Sequence, residues 1–315
     1  MAWFLVRRVT AAGLALWVAS VVVFFLLNVL PGSPARVILG TQATATSVHL
    51  LTVKLGLNHP LWQRYLQWFG GLLTGHLGRS YISERMVGGE IGSALEVSGP
   101  LVGLSLLFGL VMALLLGFFG ATRAGRVSGA VTSSVSQIGV ATPSFVVGLL
   151  LIVIVAVEFR ILPAGGFTTW SVDPAGALKS LLLPVVSLGL VSGAVLSRYL
   201  RAGVAEVIGS DYFRMARAKG LSRRYALWRH GLRNAALPVV TVLGLELGGL
   251  IVGAVVVENV FTLPGVGTLL FHAIENRDLI VVQDVVMMVV GIVLLANLVV
   301  DISYRVIDPR IGVSS

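Results

Sequence analysis

The chain has 315 residues, no cysteine, 12% charged residues, 56% hydrophobic types and a mean hydropathy of +0.94. A soluble domain carries about 25% charged residues, so this composition excludes a water-facing globular surface and points to an integral membrane protein. The missing cysteine excludes disulfides, thiol catalysis and cysteine-ligated metals, and the net charge of +9 has to be explained by where it sits.

A helix needs about 20 apolar residues to cross a bilayer core of about 30 Å. Val9 to Leu30 is the first such run, 22 residues without a charge, preceded by Arg7 and Arg8. It is longer than a signal-peptide core and ends at Leu30-Pro31-Gly32, so it reads as an uncleaved anchor. The later spans are predicted at Leu101–Ala121, Val131–Val157 (with Gln137 and Pro143), Leu181–Leu200 (with Pro184), Ala235–Val257 and Gln283–Val300. Each run is predominantly apolar rather than alternating, which predicts helices and not a barrel. The expected fold class is therefore all-α, with six transmembrane helices.

The basic residues give an orientation. With a cytoplasmic N-terminus, six spans return the C-terminus to the cytoplasm. The inside segments then hold Arg7, Arg8, Arg123, Arg126, Arg305, Arg310 and nine basic residues from Arg198 to Arg233. Outside the long 31–99 segment, which counts little in this rule, only Arg160, Lys179 and Arg277 fall on the other side. The positive charge is thus a sidedness signal with lipid-headgroup contact, and nucleic-acid binding is set aside.

Two segments between spans carry local signals. In the first, Asn58 is expected to cap a helix beginning near Pro60. Leu61, Tyr65, Trp68 and Phe69 recur at helical spacing, and Trp62, Tyr65 and Trp68 suit a membrane interface. Such a helix either packs on the bundle or docks an extracellular partner. His49, His59 and His76 show no metal-ligand spacing. In the second, Ser210 or Asp211 is expected to cap a short helix over Asp211–Lys219, with Gly220 ending it in the left-handed region. Ser222 then caps a second helix to about His230, before Gly231. The first helix mixes Tyr212, Phe213, Met215 and Ala216 with Arg214, Arg217 and Lys219, which fits either a basic helix on anionic lipid or a docking element for a cytoplasmic protein.

The stretch Asp211-Tyr212-Phe213-Arg214-Met215-Ala216-Arg217-Ala218-Lys219-Gly220-Leu221 resembles the coupling segment of bacterial ABC-importer permeases, in particular the dipeptide/oligopeptide/nickel family. Leu30–Pro34, Gly70–Tyr81, Leu162–Gly166 and Val257–Gly267 resemble further motifs of its first permease subunit, in the same order along almost the whole chain. In the general coupling motif a Glu-Ala-Ala precedes the glycine. Here Arg214, Met215 and Ala216 occupy those positions, and Leu237-Pro238 lies farther downstream, both as in the peptide subfamily.

The resemblance implies the type I importer permease fold in a bacterial plasma membrane. It divides the chain into a tail and first span (1–30), a periplasmic or extracellular segment with an interfacial helix (31–99), and a five-span core (100–315) with a cytoplasmic coupling loop at 201–234. It implies a second homologous permease, cytoplasmic ATP-binding subunits and an external substrate-binding protein as partners, for import of di- or oligopeptides or a related solute such as a nickel chelate. It implies an ATPase-coupling role for Asp211, Tyr212, Arg214, Ala216, Arg217, Lys219 and Gly220. The chain has no Gly-x-x-x-x-Gly-Lys-Ser/Thr loop, so ATP and magnesium are expected on partner subunits, with no cofactor or metal in this chain. No nucleophile–base or acid pair stands at useful spacing, and a transport subunit rather than an enzyme is expected. Neither duplicated halves nor paired intramembrane charges suggest a secondary transporter.

Glu246 sits in the fifth span among Gly244, Gly248, Gly249 and Gly253, two small-residue pairs that permit close helix approach. A carboxylate at that depth has to face a cavity or a partner, as a translocation-pathway residue or as a structural pair. Gln137, Pro143 and Gln283 are the weaker pathway candidates, each readable also as a satisfied polar group or a helix kink.

Overall fold

The computed structural model describes residues 2–29, 32–123 and 125–307. Leu30, Pro31 and Arg310 lie outside them, as do the side chains of Arg224, His230, Arg233, Leu237 and Arg305. The helices are α1 (Ala2–Val29), α2 (Pro34–Leu39), α3 (Ala45–Lys54), α4 (Leu61–Thr74), α5 (Val87–Thr122), α6 (Val127–Ala141) and α7 (Ser144–Leu151), then α8 (Pro174–Gly209), α9 (Asp211–Ala218), α10 (Arg223–Ala226), α11 (Leu232–Ala235), α12 (Leu237–Val260), α13 (Val266–Glu275) and α14 (Leu279–Ile307). The described residues contain no strand, only an isolated bridge between Arg79 and Met86. Five helices are long and apolar enough to cross a membrane, and a bent pair makes a sixth span if counted as one.

That pair corrects the expected continuous span over Val131–Val157. α6 and the stretch Ser144–Glu158 meet at 103°. Pro143 is the cause: it has no N–H for the ladder, and it pushes Thr142 out of helical conformation, to φ −98° and ψ 122°. Beyond α7 the chain continues as a π-helical stretch, Ile152–Glu158.

Two compact units are distinguishable, one formed by residues 1–98 and 264–295, the other by 99–263 and 296–315. In the first, α5 begins fourteen residues before the expected Leu101, because Val87, Ile91 and Ala94 form a buried face. They meet Val266 and Ala273 of α13 and Val281, Val282 and Val285 of α14. Glu90 and Glu96 interrupt the apolar run there, which hid the extension. α13 itself was not expected.

α4 lies on α1. Phe24 stacks on Trp68 and meets Tyr65 edge-on, with ring centroids 5.7 and 5.4 Å apart. The Tyr65 hydroxyl bonds Ser20 at 3.0 Å, and Arg64 donates to Asn28 at 2.6 Å. The expected face is therefore a packing face. Its cap differs: Pro60, not Asn58, occupies the N-cap position, and no side chain caps the helix.

In the second unit α8 is the central element, against which α6, α7, α11 and α12 pack. It runs well past the expected Leu181–Leu200, from an Asp173 cap that accepts from the Ala175 amide at 3.0 Å. Its later turns place Leu200, Val204 and Val207 in a core with Phe213, Ala226 and Leu227. Glycines let its neighbours close in: a Cβ at Gly203 would stand 2.4 Å from the Ala235 carbonyl oxygen.

Candidate functional site

The segment after α8 folds as helix, glycine, helix. Asp211–Ala218 is helical, and Gly220 follows at φ +87°. The Leu221 amide bonds the Ala216 carbonyl and the Gly220 amide bonds the Arg217 carbonyl. This pair of bonds is a Schellman ending, which requires the left-handed residue that glycine supplies. Ser210 stands at the N-cap position, but its hydroxyl donates back to Val207 O at 2.6 Å and makes no cap bond. Ser222 does receive the Tyr225 amide, at 3.3 Å.

The expected stop at Gly231 is absent. Leu227–Gly231 continues as a π-helical turn into α11, and Gly231 has right-handed angles of φ −100° and ψ −39°. Its role is space: a Cβ there would lie 2.8 Å from Val207 Cγ1 of α8.

Phe213 is the anchor of α9. It is 4% exposed, in the core built from Val204 and Val207 of α8 and from Ala226 and Leu227. Ala216 and Leu221 pack against the same core. Tyr212 (40%) and Met215 (60%) remain exposed on this anchored helix. Arg214 pairs with Asp211 at 3.3 Å and donates to Gly209 O, and Arg217 donates to Leu221 O at 2.7 Å. Such exposed pairs contribute little stability. The arrangement is a short helix with a wet polar-aromatic face, held rigidly to a long membrane helix by its apolar face.

Of the pathway candidates, Gln137 and Glu246 belong to the second unit and Gln283 to the first. Gln137 lines a cavity with Ser133, Ser197 and Arg198. Glu246 is half-buried beside the buried Ser192 hydroxyl, whose Oγ has no partner of good hydrogen-bonding geometry among the described residues. Of its flanking glycines, Gly244 and Gly253 meet close neighbours, whereas Gly248 and Gly249 meet nothing within 4 Å. Gln283 is buried and lines a cavity of about 260 Å³ with Arg64, Trp68 and Tyr81.

The sequence reading missed a set of carboxylates. Asp278, 3% exposed, precedes α14 and accepts from the Ser80 hydroxyl and from the Tyr81 and Ile82 amides. It thereby fixes the end of the Gly70–Tyr81 motif. Asp284, 1% exposed, accepts from Trp68 Nε1 at 2.7 Å. Burial pushes the Tyr81 hydroxyl above its ordinary pKa, with Arg64 opposing and Asp278 adding to the shift. The acidic residues themselves were the available signal, since a carboxylate at the head of an apolar run has to be paired.

Two further motifs meet in the second unit. The Gly166 amide donates to Phe261 O at 2.9 Å, and a Cβ on Gly165 would stand 2.7 Å from that oxygen. The corner after α12 closes with Leu263 N on Glu258 O and Thr262 N on Asn259 O, which holds Thr262 at φ +52°. A β-branched residue there is unusual and marks a strained corner. The Leu162–Gly166 and Val257–Leu263 stretches are thus one backbone junction.

Comparison with known proteins gives a consistent result. Residues 107–313 match the family described as binding-protein-dependent transport system inner membrane component. Residues 1–90 match the N-terminal family of the same transport-system membrane components. The glutathione transport system permease protein GsiC of Escherichia coli K12 is 35% identical over 308 residues, covering 98% of each chain. GsiC of Shigella dysenteriae serotype 1 and of Shigella boydii serotype 4 match to the same extent.

Proposed function

Because this chain belongs to the family of binding-protein-dependent transport inner-membrane components, and is the multi-pass permease subunit of an ABC importer, we propose that α9 is its coupling element to cytoplasmic ATPase subunits. The observation that carries this reading is the mechanical link from α9 to α8 through buried Phe213. A force on the exposed Tyr212 and Met215 face reaches a 36-residue helix through this buried contact, across the single extended residue Ser210. Rigid-body displacement of packed helices between two arrangements is what alternating access requires.

In this reading Asp211, Tyr212, Arg214, Arg217 and Lys219 present the docking face, while Ala216 and Gly220 shape the helix and its end. The termini and the 201–234 loop lie in the cytoplasm. ATP and magnesium are held by the ATPase subunits, a second permease completes the pathway, and a substrate-binding protein delivers the solute outside. The solute is of peptide type. The glutathione permease relatives support that class, and a small tripeptide is the first solute to try.

Gly220→Val tests the coupling assignment. At φ +87° a β-branched side chain is strained by about 1–3 kcal/mol, enough to unwind the Schellman ending. Uptake of glutathione into proteoliposomes is expected to fall by about tenfold or more, together with co-purification of the ATPase subunits. Wild-type levels of both would remove the assignment.

A further inference from the structure

The cavity beside Gln137 is lined by two arginines. It measures about 320 Å³, roughly ten times a water molecule's share of liquid volume, and opens between α6 and α8. Thr132, Ser133, Ser136 and Gln137 line it from α6, and Ser197, Arg198 and Arg201 from α8. Its lining contains no acidic residue.

The hydrogen-bond inventory is one-sided. Ser136 and Ser197 lie 2.8 Å apart and each is also within hydrogen-bond distance of a carbonyl of its own helix, so both hydroxyls find partners within the protein. Thr132 is bonded to carbonyls of its own helix. Among the described residues, Ser133, Gln137, Arg198 and Arg201 have no hydrogen-bond or ion-pair partner. Arg198 and Arg201 are three residues apart on one helix, so their like charges stand on neighbouring turns and repel. A guanidinium offers only donors, in a planar fork that matches a carboxylate or phosphate. Arg198 and Gln137 are exposed and Arg201 and Ser133 half-buried, so these donors are open to an anion from outside the chain.

We propose that this cavity is an oxyanion-binding site, in which Arg198 and Arg201 hold a carboxylate or phosphate group and Ser133 and Gln137 donate to its edges. Two sources share that chemistry: the carboxylate of a peptide-type solute in transit, and the phosphate of an anionic lipid headgroup. The first source rests on the peptide-importer reading; the site itself does not.

The test uses the complete importer complex in detergent and follows its thermal unfolding with two probes, glutathione and a short-chain phosphatidylglycerol. At least one probe is expected to stabilise the wild type. Its half-saturating concentration is expected to rise about tenfold or more in Arg198→Gln/Arg201→Gln, because bonds to charged groups are lost. Arg198→Lys/Arg201→Lys keeps the charge and is expected to retain part of the response. Gln137→Ala leaves both guanidiniums in place and is expected to weaken the response about threefold, so it carries the test should the double-glutamine variant not fold. A response to glutathione assigns the site to the solute, and a response to phosphatidylglycerol assigns it to lipid. The proposal is overturned if neither probe stabilises the wild type, or if every variant responds as the wild type does. A wild type that binds an anion at this site yet imports no di- or tripeptide would contradict the transport reading and leave the site standing.

Discussion

The segment after α8 and the segment before α5 face the same problem, how to fix an irregular stretch of chain to a membrane helix, and they solve it with different chemistry. The 211–235 stretch is held by apolar burial and close backbone approach: Phe213 and Leu227 in a core with Val204 and Val207, and Gly203 and Gly231 admitting their neighbours. The 60–85 stretch adds directional bonds to the aromatic packing of α4 on α1: Trp68 to Asp284, and the Ser80 hydroxyl with the Tyr81 and Ile82 amides to Asp278. Apolar burial holds a segment firmly while leaving its polar face available to a partner. Carboxylate anchoring fixes geometry residue by residue, and is costly when one member of a pair is lost.

Phe213→Ala is the sharpest way to break the contrast. Removing a buried aromatic costs about 3–5 kcal/mol. The loss is expected as local unfolding of residues 211–226, read as proteolytic sensitivity and lost uptake, with the 60–85 stretch still protected. Equal loss of protection in both stretches would show that the two anchors are not independent.

Trp68→Phe attacks the other anchor. It keeps an aromatic six-membered ring but removes the Nε1 donor with the rest of the indole, leaving neither oxygen of buried Asp284 bonded among the described residues. The expected loss is about 1–3 kcal/mol, read as a lower unfolding temperature. Trp68→Phe combined with Asp284→Leu is expected to recover most of it, because removing both partners leaves no stranded polar group. Additive destabilisation in the double variant would mean that the bond is incidental.

Glu246→Gln has the smallest expected effect on stability, since it preserves shape beside Ser192. It sharpens the question of what moves along the helices: uptake and solute-stimulated ATPase activity are expected to fall while the folded complex persists. Unchanged values of both would take Glu246 out of the pathway and leave it a structural partner of α8.

The same contrast explains what the sequence conveyed. The apolar runs, the Gly220 ending, the Ser222 cap and the helical spacing of Tyr65, Trp68 and Phe69 are local features, and each has its counterpart in the structure. Long-range features were hidden. Gly231 resembles a stop in isolation, but its bare Cα is used against Val207. Asp278 and Asp284 read as the edge of a span because their partners lie 198 and 216 residues away. α13 is a short apolar helix between two turns, and its burial against Val87 and Val285 is not written in its own residues. Pro143 was visible, and the 103° bend follows from its backbone chemistry, but apolarity alone ran the span through it. For the candidate site, spacing located α9 but could not show that Phe213 turns inward while Tyr212 and Met215 stay exposed.

The central claim is that the exposed face of α9 is covered by an ATPase subunit. The chain contains no cysteine, so a single Met215→Cys substitution provides a clean label. Met215 is 60% exposed in the isolated chain. A thiol-reactive probe is expected to modify Cys at this position slowly in the intact importer and at least tenfold faster once the ATPase subunits are stripped away, about the change expected from burial of an exposed thiol. Equal labelling rates before and after stripping would contradict the account.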